Sequence, residues 1–345
     1  MDMRTVSTKE FEAIVIEGCK RGWTIYGEGV LGNGKSTIVN RVASQLGMEC
    51  KDSRLSTMDV GDIYMRMPNQ DRTKMVELIN ENLMSDKPCL YLFDEFRHAT
   101  NGLRRASYQP IHDRRIGSYK MPSGSCIVAL SNPTDEVDTE ELEAPLIDRF
   151  DVKVQIEFDF KEWKEWAFNN EVRPEVISFL EMFKESVINT TVGGIPLSPR
   201  TWVRVSKNLD TPLYINMLPE KTGAMMKVFL EKINVFKDVD SYLTGAKKMP
   251  KELDMQYAFI SAVVNKVSKD KKDGVVVKWF ADKMDGLKEE VKVFGTFSVL
   301  SRHKQLIGGT DVKAINKYVL ALDDDLRKTI VSEWMKLGYL QDGSV

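Results

Sequence analysis

GEGVLGNGKST, residues 27–37, stands between the apolar WTIY (23–26) and the helix-like IVNRVASQL (38–46). From Gly29 to Ser36 it fits the spacing G-x-x-x-x-G-K-[ST] without a gap. Glycines at these positions let the backbone turn so that successive N–H groups face inward, which makes a cradle for phosphate oxygens. Lys35 supplies a point charge for the outer phosphates, and the Ser36 hydroxyl is a ligand for Mg²⁺. Gly29, Gly32, Asn33, Gly34, Lys35, Ser36 and Thr37 are therefore the expected binding residues. WTIY suits a buried strand, and Ile38, Val39, Val42, Ala43 and Leu46 repeat at helical period until Gly47, a fitting stop. The positive end of that helix faces the same anions.

PCLYLFDEFRHAT (88–100) begins with proline, runs through five apolar residues and ends in Asp94-Glu95. A continuous apolar run is the mark of a central strand covered on both faces, and ligands of parallel sheets lie beyond the carboxyl ends of such strands. Asp94 there suits the Mg²⁺ shell, and Glu95 the polarisation of an attacking water. A third apolar run, CIVALSNPTDE (126–136), places Asn132 at a neighbouring tip, where a neutral amide can orient water or touch a phosphate. Strands alternating with helices predict an α/β fold with a doubly wound parallel sheet.

Two arginines follow. ELEAPLIDRFDVKVQIEF (141–158) sets Arg149 after a short helix and before a strand at Val152–Ile156. PLSPRTWVRVS (196–206) opens a helix with Ser198 as N-cap and Pro199 at the first position, so that Arg200 falls in the first turn, where a cation opposes the macrodipole unless an anion is near.

With these segments in place, the sequence resembles the MoxR-like AAA+ ATPases. The resemblance rests on GVLGNGKST (Walker A), LYLFDE (Walker B), ALSNP (sensor 1), APLIDRF (arginine finger) and SPRTW (sensor 2), and more narrowly on RLSTMDVGDIY, YQPIHDRRIGSYKMPSG and FDFKEWKEWA. It covers about residues 5–210, is traceable to about residue 300, and does not reach the last forty or so. It implies a Mg²⁺-dependent, ATP-hydrolysing ring, usually a homo-hexamer, acting as a chaperone-like remodeller of a protein partner or complex, often alongside a von Willebrand factor A domain protein. Asp94, Glu95 and Asn132 would serve the ATP site, Arg149 would reach a neighbour's site, and Arg200 would sense the γ-phosphate. Fingers of this kind are worth about 10³–10⁵ in rate. Arg114 and Arg115 in HDRRIG compete for the finger role. Leu31 stands where the family usually has proline or glycine, and DEFRHAT replaces DEINRA, which brings a further cation, Arg97, near the site.

Domains are expected at 1–159 (nucleotide-binding core), 160–245 (helical lid) and 246–345 (helical extension of unassigned role). STMDVGDIYMRMPNQ (56–70) lies where such rings place a substrate loop, and its Tyr64 and Met65 suit either a pore or the core. SKDKKDG (268–274) reads as a solvated turn, and DDDLRKTIVSEWMKLGYL (323–340) as an amphipathic helix.

The whole chain frames these motifs. Its 345 residues are 42% hydrophobic and 29% charged, with a net charge of −2, so no global basic field advertises nucleic acid or anionic lipid. A nucleic-acid-directed motor stays open as an alternative, as does an ATP-gated scaffold. No signal peptide or apolar run long enough to span a bilayer is read, so a cytoplasmic chain without membrane insertion is expected. Cys19, Cys50, Cys89 and Cys126 lack metal-site spacing and are expected to be mostly buried thiols.

Overall fold

The computed structural model describes residues 3–133, 142–267, 279, 286–306, 327, 328 and 331. SKDKKDG (268–274) and most of 323–340 lie outside the described residues. The chain divides into two compact units, Met1–Asp159 and Phe160–Val345.

In the first unit, β1 (Arg4–Val6) leads through helix α1 (Thr8–Arg21) to β2 (Thr24–Gly29) and helix α2 (Lys35–Gln45). β3 (Cys50–Arg54) is followed by the hairpin β4 (Tyr64–Pro68) and β5 (Met75–Ile79), then by β6 (Leu90–Asp94) and helix α3 (Asn101–Ala106). The two-residue strands β7 (Arg115–Ile116) and β8 (Tyr119–Lys120) precede β9 (Cys126–Ser131), helix α4 (Ala144–Ile147) and β10 (Val152–Ile156).

Six strands form one sheet in the order β1-β10-β2-β9-β6-β3, every neighbouring pair parallel. Strands β2, β6 and β9 are buried along their whole length, as the apolar runs of β6 and β9 require. One face packs Val39 and Val42 of α2 and Phe11 and Val15 of α1 against Ile25, Leu92 and Val128. The other packs Tyr26, Tyr91 and Phe93 against Phe96, Leu103 and Phe150. The sequence places the strand and helix around the glycine loop, the strand ending at Asp94, the strand before Asn132 and the strand at Val152–Ile156 correctly. Because β2, β6 and β9 run side by side in parallel, their carboxyl ends bring Gly29, Asp94 and Asn132 to one edge of the sheet.

Ser7 caps α1 in a reciprocal box with Glu10, and Gly22 ends the helix in the left-handed conformation at φ +69°. In the hairpin, Tyr64 packs partly buried on the core, whereas Met65 is exposed.

All four cysteines are free thiols, three of them buried. Burial pushes the half-buried Cys50 thiol up to about 12, and raises Cys89 as well. The sign is that of a group whose neutral form is favoured in the folded state, so Cys50 stays protonated throughout the neutral range. At pH 8 its thiolate is scarce by about 10³-fold relative to an ordinary cysteine. Iodoacetamide is expected to leave Cys50 unmodified in the folded chain and to label all four cysteines after denaturation, as read by intact mass.

The second unit is mostly helical. Helices α5 (Phe160–Asn169) and α6 (Pro174–Phe183) precede a small hairpin, β11 (Thr190–Val192) and β12 (Ile195–Leu197), and then come α7 (Pro199–Lys207), α8 (Glu220–Ile233), α9 (Val239–Leu243), α10 (Leu253–Val267) and α11 (Glu289–Leu306). α10 packs against α6, α8 and α11, and ten of its fifteen residues are buried, so it is a central helix of this unit. Phe179 gathers the rings of Phe183, Trp202 and Phe229, with centroids 4.7, 5.5 and 5.6 Å away. The buried Trp202 satisfies its indole N–H on the carbonyl of Val187 at 2.7 Å. Among the described residues, no helix is long and apolar enough to cross a membrane.

Candidate nucleotide site

The glycine loop joins the end of β2 to the start of α2. Gly32 and Gly34 adopt φ of +74° and +87°, values that a side chain disfavours, and Gly34 is the N-cap of α2. Gly29 is needed for a different reason: a Cβ there would lie 2.6 Å from the carbonyl oxygen of Ile156. Two glycines are set by the turn, and the third by close packing of the loop root on β10. Asn33 is buried, and its side-chain Oδ1 has no hydrogen-bond partner.

Lys35 is buried, and its ammonium donates to the carbonyls of Gly29 (2.5 Å) and Val30 (2.9 Å) and to Oδ1 of Asn132 (3.0 Å). The Ser36 hydroxyl donates to Oδ2 of Asp94 at 2.5 Å. Residues from three separate segments therefore converge: Lys35 and Ser36 from the loop, Asp94 from β6 and Asn132 from β9. Thr37 follows Ser36 in the first turn of α2.

Asp94 is buried, and its second oxygen, Oδ1, accepts the backbone N–H of Glu95 at 2.8 Å. That bond helps hold Glu95 in a left-handed conformation, φ +56°, uncommon for a residue with a side chain. The Glu95 carboxylate accepts from the Ser56 hydroxyl at Oε2 and lies 3.7 Å from Nε of Arg54 at Oε1. Ser56 and Arg54 were not singled out from sequence. Their signal is positional: β3 lies beside β6, and Arg54 is in register with Asp94.

A hydroxyl and a carboxylate within hydrogen-bond distance, both hard oxygen donors, suit Mg²⁺, which takes one or two protein oxygens and fills its octahedron with water and phosphate. Ser36 and Asp94 are the residues that would hold it. The donor set thus fits the ion.

The finger candidates lie at the opposite edge of the sheet. Asp151, two residues after Arg149, accepts the N–H and hydroxyl of Thr24 at 2.7 and 2.8 Å, at the start of β2. The length of β2 separates that point from the glycine loop, ~16 Å at the usual strand rise. The Arg149 guanidinium lies over the Tyr108 ring, 4.6 Å from its centroid, and Nη1 donates to the Pro145 carbonyl. Tyr108 in turn donates its hydroxyl to Glu143 at 3.0 Å. Arg114 donates to the carbonyls of Gly22 and, at 3.2 Å, Ser125, where β2 and β9 begin. Its guanidinium thereby ties the starts of these two strands together. Arg115 is exposed.

Arg97, read from sequence as a further cation near the site, is buried and paired with Glu28, the residue before Gly29. In the second unit, Ser198 caps α7 through the N–H of Thr201, Pro199 takes the first helical position, and Arg200 is exposed in the first turn.

No known family model matches the chain, and no curated protein does. Solved structures do. A candidate ATPase of Cytophaga hutchinsonii is 16% identical, with 91% of this chain and 89% of that one covered, at a TM-score of 0.35. The RuvB Holliday junction branch migration motor of Thermotoga maritima is 16% identical over 74% of this chain and 80% of its own, at 0.40. NtrX of Brucella abortus in complex with ATP is 12% identical over 98% and 70%, at 0.41. Similarity at this level carries no assignment of activity, which rests on the side chains themselves. Fold and site together define a parallel α/β domain with a P-loop at the carboxyl edge of its sheet.

Proposed function

We propose that the chain is a Mg²⁺-dependent ATPase of the AAA+ class, of the MoxR-like group, working as a homo-oligomeric ring that remodels a protein partner or complex. The observation that carries the hydrolytic reading is the meeting of Lys35, Ser36, Asp94 and Asn132 at the edge where β2, β6 and β9 end, with Glu95 next to Asp94. When bound there, Mg²⁺ would neutralise phosphate charge. Lys35 would place its ammonium on the outer phosphates, and the loop N–H groups would hold the remaining oxygens. Glu95 would take the proton of an attacking water, which Asn132 would orient.

The ring belongs to this reading because Arg149 lies a strand's length from the phosphate loop of its own subunit, and its proposed finger role therefore falls on a neighbour's site. Arg200 is assigned to sensing the γ-phosphate, and a von Willebrand factor A domain protein is the proposed class of companion. Arg149→Ala is expected to bind ATP like the wild-type chain and to lose about 10³-fold or more in hydrolysis, measured by phosphate release above the concentration at which the ring assembles. Normal hydrolysis by Arg149→Ala would transfer the finger role to Arg114 or the exposed Arg115. Stimulation by DNA or RNA, weakening steeply with salt, would replace the protein-remodelling reading with a nucleic-acid-directed motor.

A further inference from the structure

Glu28 is an acid in a strand otherwise sealed from water, and it immediately precedes the glycine loop. It is 6% exposed, and so is Arg97. Strand alternation sends Glu28 to the same face as Tyr26. One oxygen, Oε2, receives three donors: the Tyr26 hydroxyl at 2.9 Å, Arg97 Nε at 3.1 Å and Arg97 Nη2 at 2.5 Å. Aromatic rings wall this cluster, with Tyr26 and Phe96 packing on Phe150 at centroid distances of 5.5 and 6.0 Å. Burial pushes the Tyr26 phenol upward, so it stays a neutral donor.

Glu28 directly precedes Gly29 in the chain, and the Gly29 carbonyl holds the Lys35 ammonium at 2.5 Å. Gly29 is itself pinned against Ile156, so the root of the loop has little room to move away. A buried negative charge at this place opposes a polyphosphate, and in a low-dielectric wall the opposition is weakly screened. Arg97 arrives from the single turn Phe96–His98 that directly follows Glu95. The pair thus also links the loop root to the segment that carries the acidic pair.

We propose that Arg97 is a positioning residue that neutralises the buried Glu28 carboxylate at the root of the phosphate loop and so sets the affinity for nucleotide triphosphate over diphosphate. The proposal rests on the ATP-site reading above. It separates charge cancellation from simple bracing, because either partner's loss breaks the brace while only the loss of Arg97 leaves an unpaired anion.

The test is titration of the full chain with fluorescent ATP and ADP analogues, with thermal melting of each variant alongside. Arg97→Met is expected to weaken ATP binding about tenfold or more, and ADP binding less, because the triphosphate carries more charge. Glu28→Gln alone is expected to keep wild-type ATP affinity or exceed it. The double variant should return within about threefold of wild type, and Arg97→Lys, which keeps the charge, should retain ATP affinity to the same margin. If Arg97→Met does not fold, Glu28→Gln and Arg97→Lys still decide: a tenfold loss of ATP affinity in either, while the protein melts cooperatively, overturns the proposal. Wild-type affinity in a folded Arg97→Met chain, or a double variant no better than Arg97→Met, overturns it too. Failure of the wild-type chain to bind ATP at all would instead remove the ATP-site reading.

Discussion

Glu95→Gln is expected to bind ATP as tightly as the wild-type chain and to hydrolyse it about 10²–10⁴-fold more slowly. Glutamine keeps the length of the side chain and an acceptor oxygen for the Ser56 hydroxyl, so the local structure should persist. What it loses is the ability to accept a proton. The left-handed backbone at Glu95 is upheld by the N–H bond to Asp94, which the substitution leaves intact. Phosphate release and nucleotide binding, measured on the same preparation, separate the two effects. A loss of binding equal to the loss of turnover would make Glu95 a structural residue rather than the base.

Lys35→Ala should weaken ATP binding about 10²–10³-fold, the usual scale for truncating one partner of a buried charged contact. The ammonium also satisfies the carbonyls of Gly29 and Val30, so the variant leaves two acceptors of the loop without that donor. Some destabilisation of the first unit is therefore expected, of about 1–3 kcal/mol. Melting curves without nucleotide measure that part. The binding loss should persist at temperatures where the variant is fully folded. Wild-type affinity in a folded Lys35→Ala chain would mean that the loop is a glycine-rich turn and nothing more.

Much of the site is legible in the sequence because its chemistry is local. Loop geometry needs particular glycines at fixed spacing, and a strand covered on both faces announces itself as an apolar run ending where its polar tip begins. Gly29 to Ser36, Asp94-Glu95 and Asn132 follow from those two facts, and the parallel order of β2, β9 and β6 brings them together. Pairings across long sequence separations are another matter. Nothing near Arg97 signals that its partner is Glu28, although an acid inside a sealed strand does demand a cation from somewhere. Arg114 looks like Arg115 in sequence, and only the fold shows its guanidinium bonded to the carbonyls of Gly22 and Ser125. Tyr64 and Met65 are adjacent, yet strand alternation puts one on the core and the other in water.

The most direct test of the central claim is phosphate release by the wild-type chain with ATP, titrated with Mg²⁺ and run beside Glu95→Gln across protein concentrations that span assembly. Mg²⁺-dependent turnover that rises per subunit as the chains associate, and that Glu95→Gln lacks, is the predicted result. Turnover that is absent at every concentration, or indifferent to Mg²⁺ and to Glu95→Gln, would contradict it.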